Sequence, residues 1–239
     1  MDIRKLFSLE GRVALVTGAT HGLGMAVATA LAGAGATLAV NGHSADRLDK
    51  ALKTYENKGI DAKGYLFDVT DEQAVAEGVA RIEREAGPID ILVNNAGIIK
   101  RIPALEMTLP EWNEVIATDL TSPFLMSRAV AAGMIRRGHG KIVNMCSMMS
   151  EVGRSSVTAY AAAKGGLKML TKNLATEWAK HNIQVNGIGP GYFATEQTAP
   201  IRVNGNPFNE FIVSRTRAGA IRRTWPERPC SSHRGRRIL

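Results

Sequence analysis

The feature that most constrains the fold of this chain is a regular alternation between short apolar runs and longer amphipathic stretches. The apolar runs are four or five residues long and are bounded by glycine or polar residues, which is typical of buried strands. They are Val13–Thr17, Thr37–Asn41, Gly64–Phe67, Ile89–Val93, Lys141–Met145 and Gln184–Ile188. Strands that alternate with helices predict a parallel sheet with helices on both faces.

The amphipathic stretches have the length and period of helices. They are Gly22–Ala34, Ser44–Lys58, Asp71–Ala86, Pro110–Arg137 and Val157–Lys180. Ser44 and Asp71 are plausible N-caps, and Gly35, Gly59 and Gly87 fall where helices should stop. The pattern therefore predicts a single α/β domain with a Rossmann-type, doubly wound parallel sheet. Beyond it, Gly189–Asn209 contains three prolines and three glycines, which predicts a mobile loop.

Length and cysteine usage exclude several other classes of protein. A chain of 239 residues buries a core without disulfide bonds or a structural metal. Cys146 and Cys230 are far apart, which favours a reducing compartment, and the five histidines lack the short spacings of a zinc site. No apolar run resembles a signal peptide or a membrane span. We therefore expect a cytoplasmic protein that binds neither a metal nor a membrane.

Almost all of the net charge of +8 lies in the last 25 residues. Residues 215–239 contain eight arginines and one acid, Glu227, so the rest of the chain is nearly neutral. Trp225 is the one aromatic residue among them, and no nucleic-acid recognition motif is present. We expect no nucleic-acid partner. A basic nucleic-acid-binding or regulatory protein on a Rossmann scaffold is the alternative from another class.

The first predicted strand ends in the glycine-rich turn TGATHGLG, residues 17–24, where a helix begins. Glycines let the backbone turn tightly and approach a pyrophosphate, whose charge the helix N-terminus stabilises. A glycine cluster alone is weak evidence, but this cluster lies between a strand and a helix. That context predicts a dinucleotide site rather than a structural turn.

Tyr160 and Lys164 are four residues apart in a predicted helix, so their side chains project from one face. A free tyrosine has a pKa near ~10 and is a poor base at neutral pH. An adjacent ammonium favours the phenolate. Such a pair is common on helix surfaces by chance, but Ser147 lies thirteen residues before Tyr160 at the end of the fifth predicted strand.

These motifs, in this order, resemble the short-chain dehydrogenase/reductase family. The resemblance covers roughly residues 8 to 213 and implies a nicotinamide-dependent oxidoreductase with Ser147, Tyr160 and Lys164 as catalytic residues. The implied cofactor-binding residues are Gly18, Thr20, His21, Gly22, Leu23, Gly24, His43, Asp68, Val69, Asn95, Ala96, Gly97, Tyr160, Lys164, Pro190, Gly191 and Thr195.

The coenzyme expected is NADP(H), with NAD(H) possible. The second predicted strand is followed by His43 and Ser44, without the acidic residue that binds both ribose hydroxyls and repels a 2′-phosphate. His21 and His43 take positions where related NADP enzymes often have arginine. The alternative is that both histidines are ordinary surface residues.

The chain departs from the family pattern at Asp119, where an asparagine is usual. The resemblance implies that this side chain takes part in the proton relay of Lys164, so Asp119 is included among the catalytic residues.

Several segments resemble the gluconate 5-dehydrogenase branch of the family, which also has an aspartate at the position of Asp119. They are residues 94–101, 146–151, 160–172 and 186–198. The resemblance implies interconversion of gluconate and 5-ketogluconate by a homotetramer. Ser147 and Tyr160 would contact the substrate, and Arg101 or Arg154 would bind its carboxylate. For either arginine a solvated surface role is equally plausible. Runner-up activities are those of 2-deoxy-gluconate 3-dehydrogenase and 3-oxoacyl-carrier-protein reductase.

The segment from residue 215 onward does not resemble the family, which continues with a helix and a seventh strand. Residues 215–239 show neither helical nor strand periodicity and have an abrupt excess of Arg, Pro and Ser. We expect a domain over residues 1–214 followed by an irregular arginine-rich segment, which resembles a translation in a shifted frame. A genuine divergent tail is the alternative.

Overall fold

In the computed structural model the residues described are 6–203, 207–215 and 222–223. They belong to two compact units, of which the first ends at Gly191 and the second begins at Tyr192. The domain boundary expected after residue 214 stays a prediction. Apart from Arg215 and the pair 222–223, the arginine-rich segment lies outside the described residues.

The described part of the first unit contains one six-stranded parallel sheet. Its strands are β1 (Val13–Val16), β2 (Thr37–Gly42), β3 (Ala62–Leu66), β4 (Ile89–Asn94), β5 (Gly140–Met145) and β6 (Ile183–Ile188). The strand order is β3-β2-β1-β4-β5-β6. The chain therefore reverses its winding direction between β1 and β4, and such a switch point opens a crevice at the carboxyl ends of these strands. The predicted doubly wound parallel sheet is confirmed.

Helices cover both faces of this sheet. They are α1 (Gly22–Gly33), α2 (Ala45–Glu56), α3 (Glu72–Glu85), α4 (Leu109–Ile116), α5 (Ser122–Arg137) and α6 (Thr158–Trp178). The predicted N-caps are confirmed, because the side chain of Ser44 accepts a hydrogen bond from the backbone of Arg47 and that of Asp71 from Ala74.

The long helix predicted over Pro110–Arg137 is interrupted. A π-helical turn, Ala117–Thr121, separates α4 from α5. A π turn accommodates one extra residue without ending the helix, and it re-aims the side chains within it. The sequence predicted one continuous helix because the residues on both sides of the turn are helical.

Two apolar clusters lie on the two faces of the sheet because alternate residues of each strand point to opposite faces. Leu15, Leu92 and Ile82 belong to one cluster, and Val16 and Val40 belong to the other.

Buried amides join the carboxyl ends of β4 and β5. Nδ2 of Asn94 donates to Oδ1 of Asn144 (2.8 Å), and Nδ2 of Asn144 donates to Oγ1 of Thr171 on α6 (2.9 Å). These hydrogen bonds fix the strand ends that precede Asn95 and Ser147.

The second unit contains β7 (Phe193–Ala194), a 3₁₀ helix (Glu196–Ile201), α7 (Pro207–Arg215) and β8 (Arg222–Arg223). Strands β7 and β8 pair in parallel. The loop predicted over Gly189–Asn209 was therefore partly wrong. Pro207 is the first residue of α7, where the missing N–H of proline costs no helical hydrogen bond. None of the helices in the described ranges is long and apolar enough to span a membrane.

Candidate active site

The glycine turn lies between β1 and α1 at the switch point of the sheet. Gly18 and Gly22 have φ values of +59° and +58°, which favour glycine. A Cβ atom on Gly24 would lie 2.4 Å from Nδ2 of Asn95 and 2.5 Å from the carbonyl oxygen of Gly18. The turn therefore requires glycine both for its conformation and for its close approach to the end of β4.

Asn95 fixes the turn from the side of β4. Its Nδ2 donates to the carbonyl oxygens of Thr17 and Gly18, each at 3.0 Å. In return, Oγ1 of Thr17 accepts from the backbone N–H groups of Asn95 (3.0 Å) and Ala96 (3.1 Å). These reciprocal bonds hold the two loops together at the carboxyl edge of the sheet.

The turn has the donor set that a dinucleotide requires. Helix α1 is twelve residues long, and its N-cap residue, His21, makes no side-chain capping hydrogen bond. A helix N-terminus that no side chain caps offers N–H groups and a favourable dipole to a pyrophosphate. The residues present therefore fit a dinucleotide coenzyme.

The remaining residues predicted to bind the coenzyme differ in exposure. Thr20 and Leu23 are half-buried, whereas His21 and His43 are exposed. Asp68 follows β3 and is exposed, and its Oδ1 accepts two hydrogen bonds from Thr70.

Four of the residues predicted to bind the coenzyme lie in the core, at the end of the first unit or in the second unit. The side chain of Val69 is buried in the core. Pro190 and Gly191 end the first unit, and Thr195, in the second unit, is the N-cap of the 3₁₀ helix Glu196–Ile201.

Tyr160 and Lys164 lie on α6 as predicted, one turn apart. Lys164 is 4% exposed, and its Nζ donates to the carbonyl oxygen of Met145 at the end of β5 (2.8 Å). Nζ also lies 5.6 Å from the centre of the Tyr160 ring. The ammonium is thus held over the ring of Tyr160.

Asp119 is fully buried on the π turn, opposite Lys164. Its Oδ2 is 3.1 Å from Nζ of Lys164, and its Oδ1 accepts a hydrogen bond from the backbone N–H of Ile98 (2.7 Å). A Cβ on Gly97 would lie 2.9 Å from Oδ2, so the glycine leaves room for the carboxylate. Burial raises the pKa of Asp119, and the charge of Lys164 opposes this shift.

Ser147 follows β5 and caps the 3₁₀ helix Met148–Ser150, where its Oγ accepts a hydrogen bond from the backbone of Met149 (3.1 Å). The hydroxyl of Ser150 accepts a hydrogen bond from the backbone N–H of Ser147 (3.2 Å) and donates to the carbonyl oxygen of Lys164 (2.8 Å). Ser150 thereby links the backbones of two predicted catalytic residues.

Arg101 and Arg154 are both half-buried, on the loop after β4 and on the segment before α6 respectively. Both loops follow the carboxyl ends of strands.

The sequence did not identify Ser150 or Tyr55 as residues that hold the site. Tyr55 belongs to the buried stripe of α2, and its hydroxyl donates to the carbonyl oxygen of Ala19 in the glycine turn (2.8 Å). The stripe predicts burial only. A buried hydroxyl group needs a hydrogen-bond partner, so a tyrosine in a buried stripe indicates that such a partner lies nearby.

The fold and these side chains define a class: α/β proteins with a dinucleotide turn at the sheet switch point and a tyrosine–lysine pair beside it. This chain belongs to the short-chain dehydrogenase/reductase family, because the family profile described as short chain dehydrogenase matches residues 12–205. It is an oxidoreductase of that family.

Named relatives cover most of the chain. The 2-dehydro-3-deoxy-D-gluconate 5-dehydrogenase of Formosa agariphila is 63% identical, over 89% of this chain and 81% of the relative. Gluconate 5-dehydrogenase of Gluconobacter oxydans is 48% identical, over 90% and 83%. A crystal structure of a gluconate 5-dehydrogenase from Burkholderia cenocepacia, in complex with NADP and tartrate, is 39% identical with a TM-score of 0.85, covering 91% of this chain and 85% of that chain.

Proposed function

We propose that this protein is an NADP(H)-dependent dehydrogenase that interconverts the C5 hydroxyl of gluconate and the ketone of 5-ketogluconate. The observation that carries the proposal is the buried Lys164 ammonium held at the ring of Tyr160, next to a turn that fits a dinucleotide. The names of the relatives supply the substrate class.

Tyr160 is the proposed acid/base. A bound nicotinamide coenzyme would accept the hydride from C5 in oxidation and return it in reduction. The phenolate oxygen of Tyr160 takes the proton of the C5 hydroxyl, and the hydroxyl of Ser147 donates a hydrogen bond to the same substrate oxygen. Lys164 stabilises the phenolate and contacts the ribose, and Asp119 orients Lys164.

NADP(H) is the proposed coenzyme, with NAD(H) as the alternative. Two observations support it: the segment after β2 places His43 where an acidic residue would repel a 2′-phosphate, and the Burkholderia cenocepacia relative was crystallised with NADP. The proposed contacts come from the glycine turn, His43, Asp68, Val69, the Asn95–Gly97 loop, Pro190, Gly191 and Thr195.

The relatives also favour a second substrate, 2-dehydro-3-deoxy-D-gluconate. The relative with 63% identity is named for oxidation of this acid at C5. Gluconate and this acid share a carboxylate and a C5 hydroxyl, so the same catalytic group serves both. Oxidation at C3 of 2-deoxy-gluconate and reduction of 3-oxoacyl carrier proteins are the further alternatives. We also propose a cytoplasmic location and a homotetrameric assembly.

The proposal is tested by following reduced-nicotinamide absorbance with each acid and each coenzyme in turn. Tyr160→Phe should lower kcat by about 10²–10⁴-fold, because it removes the positioned acid/base. Coenzyme affinity should change little, since only one oxygen atom is lost. Tyr65→Phe, which removes a hydroxyl from a buried tyrosine on β3, is the matched control and should stay active. A Tyr160→Phe enzyme within about tenfold of the parent would contradict the assignment.

Arg101 and Arg154 are the proposed carboxylate-binding residues. Arg101→Ala or Arg154→Ala should raise KM for gluconate about tenfold or more, because a hydrogen bond to a charged group contributes on the order of 1.5–3 kcal/mol. KM for an uncharged polyol should change much less. Equal changes for both substrates would show that neither arginine binds the carboxylate.

A further inference from the structure

We propose that Tyr55 is a positioning residue that sets coenzyme affinity by orienting one peptide group of the glycine turn. The inference rests on the proposed coenzyme site at residues 17–24. Tyr55 lies outside the sequence motifs described above and 36 residues from the carbonyl group that it contacts.

The hydroxyl of Tyr55 is a fixed hydrogen-bond donor inside the core. Leu48, Ala51 and Tyr55 form the buried face of α2, and Tyr55 is 0% exposed. Its OH group donates to the carbonyl oxygen of Ala19 at 2.8 Å. Burial raises the pKa of this phenol, so the group keeps its proton and remains a donor over the working pH range.

Ala19 is held at both of its polar groups. Its N–H donates to the carbonyl oxygen of Asn41 at the end of β2 (3.1 Å), while its carbonyl accepts from Tyr55 on α2. Ala19 is itself 0% exposed, so water cannot take the place of either partner. Two successive elements of the fold therefore determine the backbone conformation at this residue.

The orientation of the Ala19 carbonyl group determines the orientation of the Thr20 N–H group. The peptide bond between Ala19 and Thr20 is trans, and in a planar trans peptide the C=O and N–H groups point in opposite directions. Because the carbonyl of Ala19 points inward to Tyr55, the N–H of Thr20 points outward, away from the core. It is thereby presented on the outer side of the turn, where the backbone N–H groups of the proposed site would bind a phosphate group.

Removal of the Tyr55 hydroxyl leaves the carbonyl of Ala19 buried without a donor. A buried carbonyl without a partner is costly, and rotation of the peptide group relieves that cost. The same rotation turns the N–H of Thr20 inward and removes a donor from the phosphate side. The carbonyls of Thr17 and Gly18 are unaffected, because Asn95 holds them.

The test is the affinity of the full chain for NADPH, measured by fluorescence titration of the Tyr55→Phe variant. Phenylalanine fills the same space, so the fold is retained. We expect Kd to rise about three- to tenfold, which corresponds to one hydrogen bond, while kcat at saturating NADPH changes less than about twofold. Tyr65→Phe is the control, because Tyr65 is equally buried but packs in the apolar cluster on the other face of the sheet.

The Kd values of the parent and the two variants test whether the Tyr55 hydroxyl sets coenzyme affinity. A rise in Kd confined to Tyr55→Phe supports the inference, even where both variants unfold at a lower temperature than the parent. An unchanged Kd in Tyr55→Phe, or an equal rise in both variants, overturns it. If the parent chain binds neither NADPH nor NADH, the proposed coenzyme site is wrong and the inference is overturned with it. If the parent binds and Tyr55→Phe binds equally, the role of Tyr55 alone is wrong.

Discussion

Asp119 and Lys164 bring two opposite charges into the interior beside a tyrosine. An amide at position 119 would accept the same hydrogen bond from Ile98 but would leave the ammonium of Lys164 without a counter-charge. The carboxylate therefore offsets part of the positive potential that acts on Tyr160. Cys146 also interacts with Lys164, and burial raises the pKa of its thiol, so it adds no charge near neutral pH.

Asp119→Asn should lower kcat/KM at pH values at which Asp119 of the parent is ionised, because the amide leaves the buried ammonium of Lys164 without its counter-charge. The two profiles should converge as the pH falls, since burial raises the pKa of Asp119 and its protonation gives the parent a neutral side chain as well. The measurement is kcat/KM against pH for the parent and the variant. Asp46→Asn is the control, because it breaks an exposed pair with Lys50 and should leave the profile unchanged.

An unchanged profile in Asp119→Asn would indicate that Asp119 is already protonated in the working enzyme. Burial raises the pKa of Asp119 and so favours its protonated form, whereas the charge of Lys164 and the hydrogen bonds of Lys164 and Ile98 oppose this shift.

Among the secondary-structure elements, the sequence predicted those whose formation depends on local residue patterns. The sequence predicts every strand of the main sheet to within two residues, because each contains buried apolar residues between glycine or polar residues. The positions of Tyr160 and Lys164 on one helix face followed from their spacing.

The elements that the sequence did not predict depend on contacts between distant residues. The π turn that carries Asp119 lies between two helices that the sequence predicts as one, and the hydrogen bonds from Ser150 to Lys164 and from Tyr55 to Ala19 join different elements. The sequence did not predict the helix at Pro207–Arg215, because a proline indicates a loop as readily as it indicates the start of a helix.

Helix α1 contains two glycines that provide a matched comparison. Gly24→Ala would place a Cβ 2.5 Å from the carbonyl oxygen of Gly18, so the turn must shift. We expect it to destabilise the fold by about 1–3 kcal/mol and to weaken coenzyme binding. Gly33→Ala meets no atom within 4 Å and should be neutral or stabilise by about 0.4–1 kcal/mol. Thermal unfolding and NADPH titration of both variants measure the difference, and equal behaviour would contradict the close approach.

At the scale of the whole molecule, the net charge and the unpaired edge of β6 lie in different parts of the chain, because the net charge is concentrated in residues 215–239. In the described residues β6 pairs only with β5, so its outer edge has no neighbouring strand in the main sheet. Ile188 at the end of β6 is 48% exposed. A strand edge without a neighbouring strand favours association with other chains.

We predict that replacement of residues 215–239 by the corresponding segment of the Gluconobacter oxydans relative raises both stability and activity. The arginine-rich sequence has no apolar stripe with which to cover a sheet edge, whereas the family resemblance implies a helix and a strand there. Each kcal/mol gained should raise Tm by about 2–4 °C. Thermal unfolding, sedimentation and turnover of both chains give the comparison. A stable, fully active tetramer of the original chain would refute this prediction.

The burial of Lys164 also determines how the protein reacts with amine-modifying reagents. An acylating reagent must reach an accessible, unprotonated amine. Nζ of Lys164 is buried, donates a hydrogen bond to the carbonyl oxygen of Met145 and forms an ion pair with Asp119. Lys50 and the other exposed lysines should be acylated first, with turnover retained. Inactivation should follow only as slower local opening admits the reagent, so its rate would report how often this interior site opens.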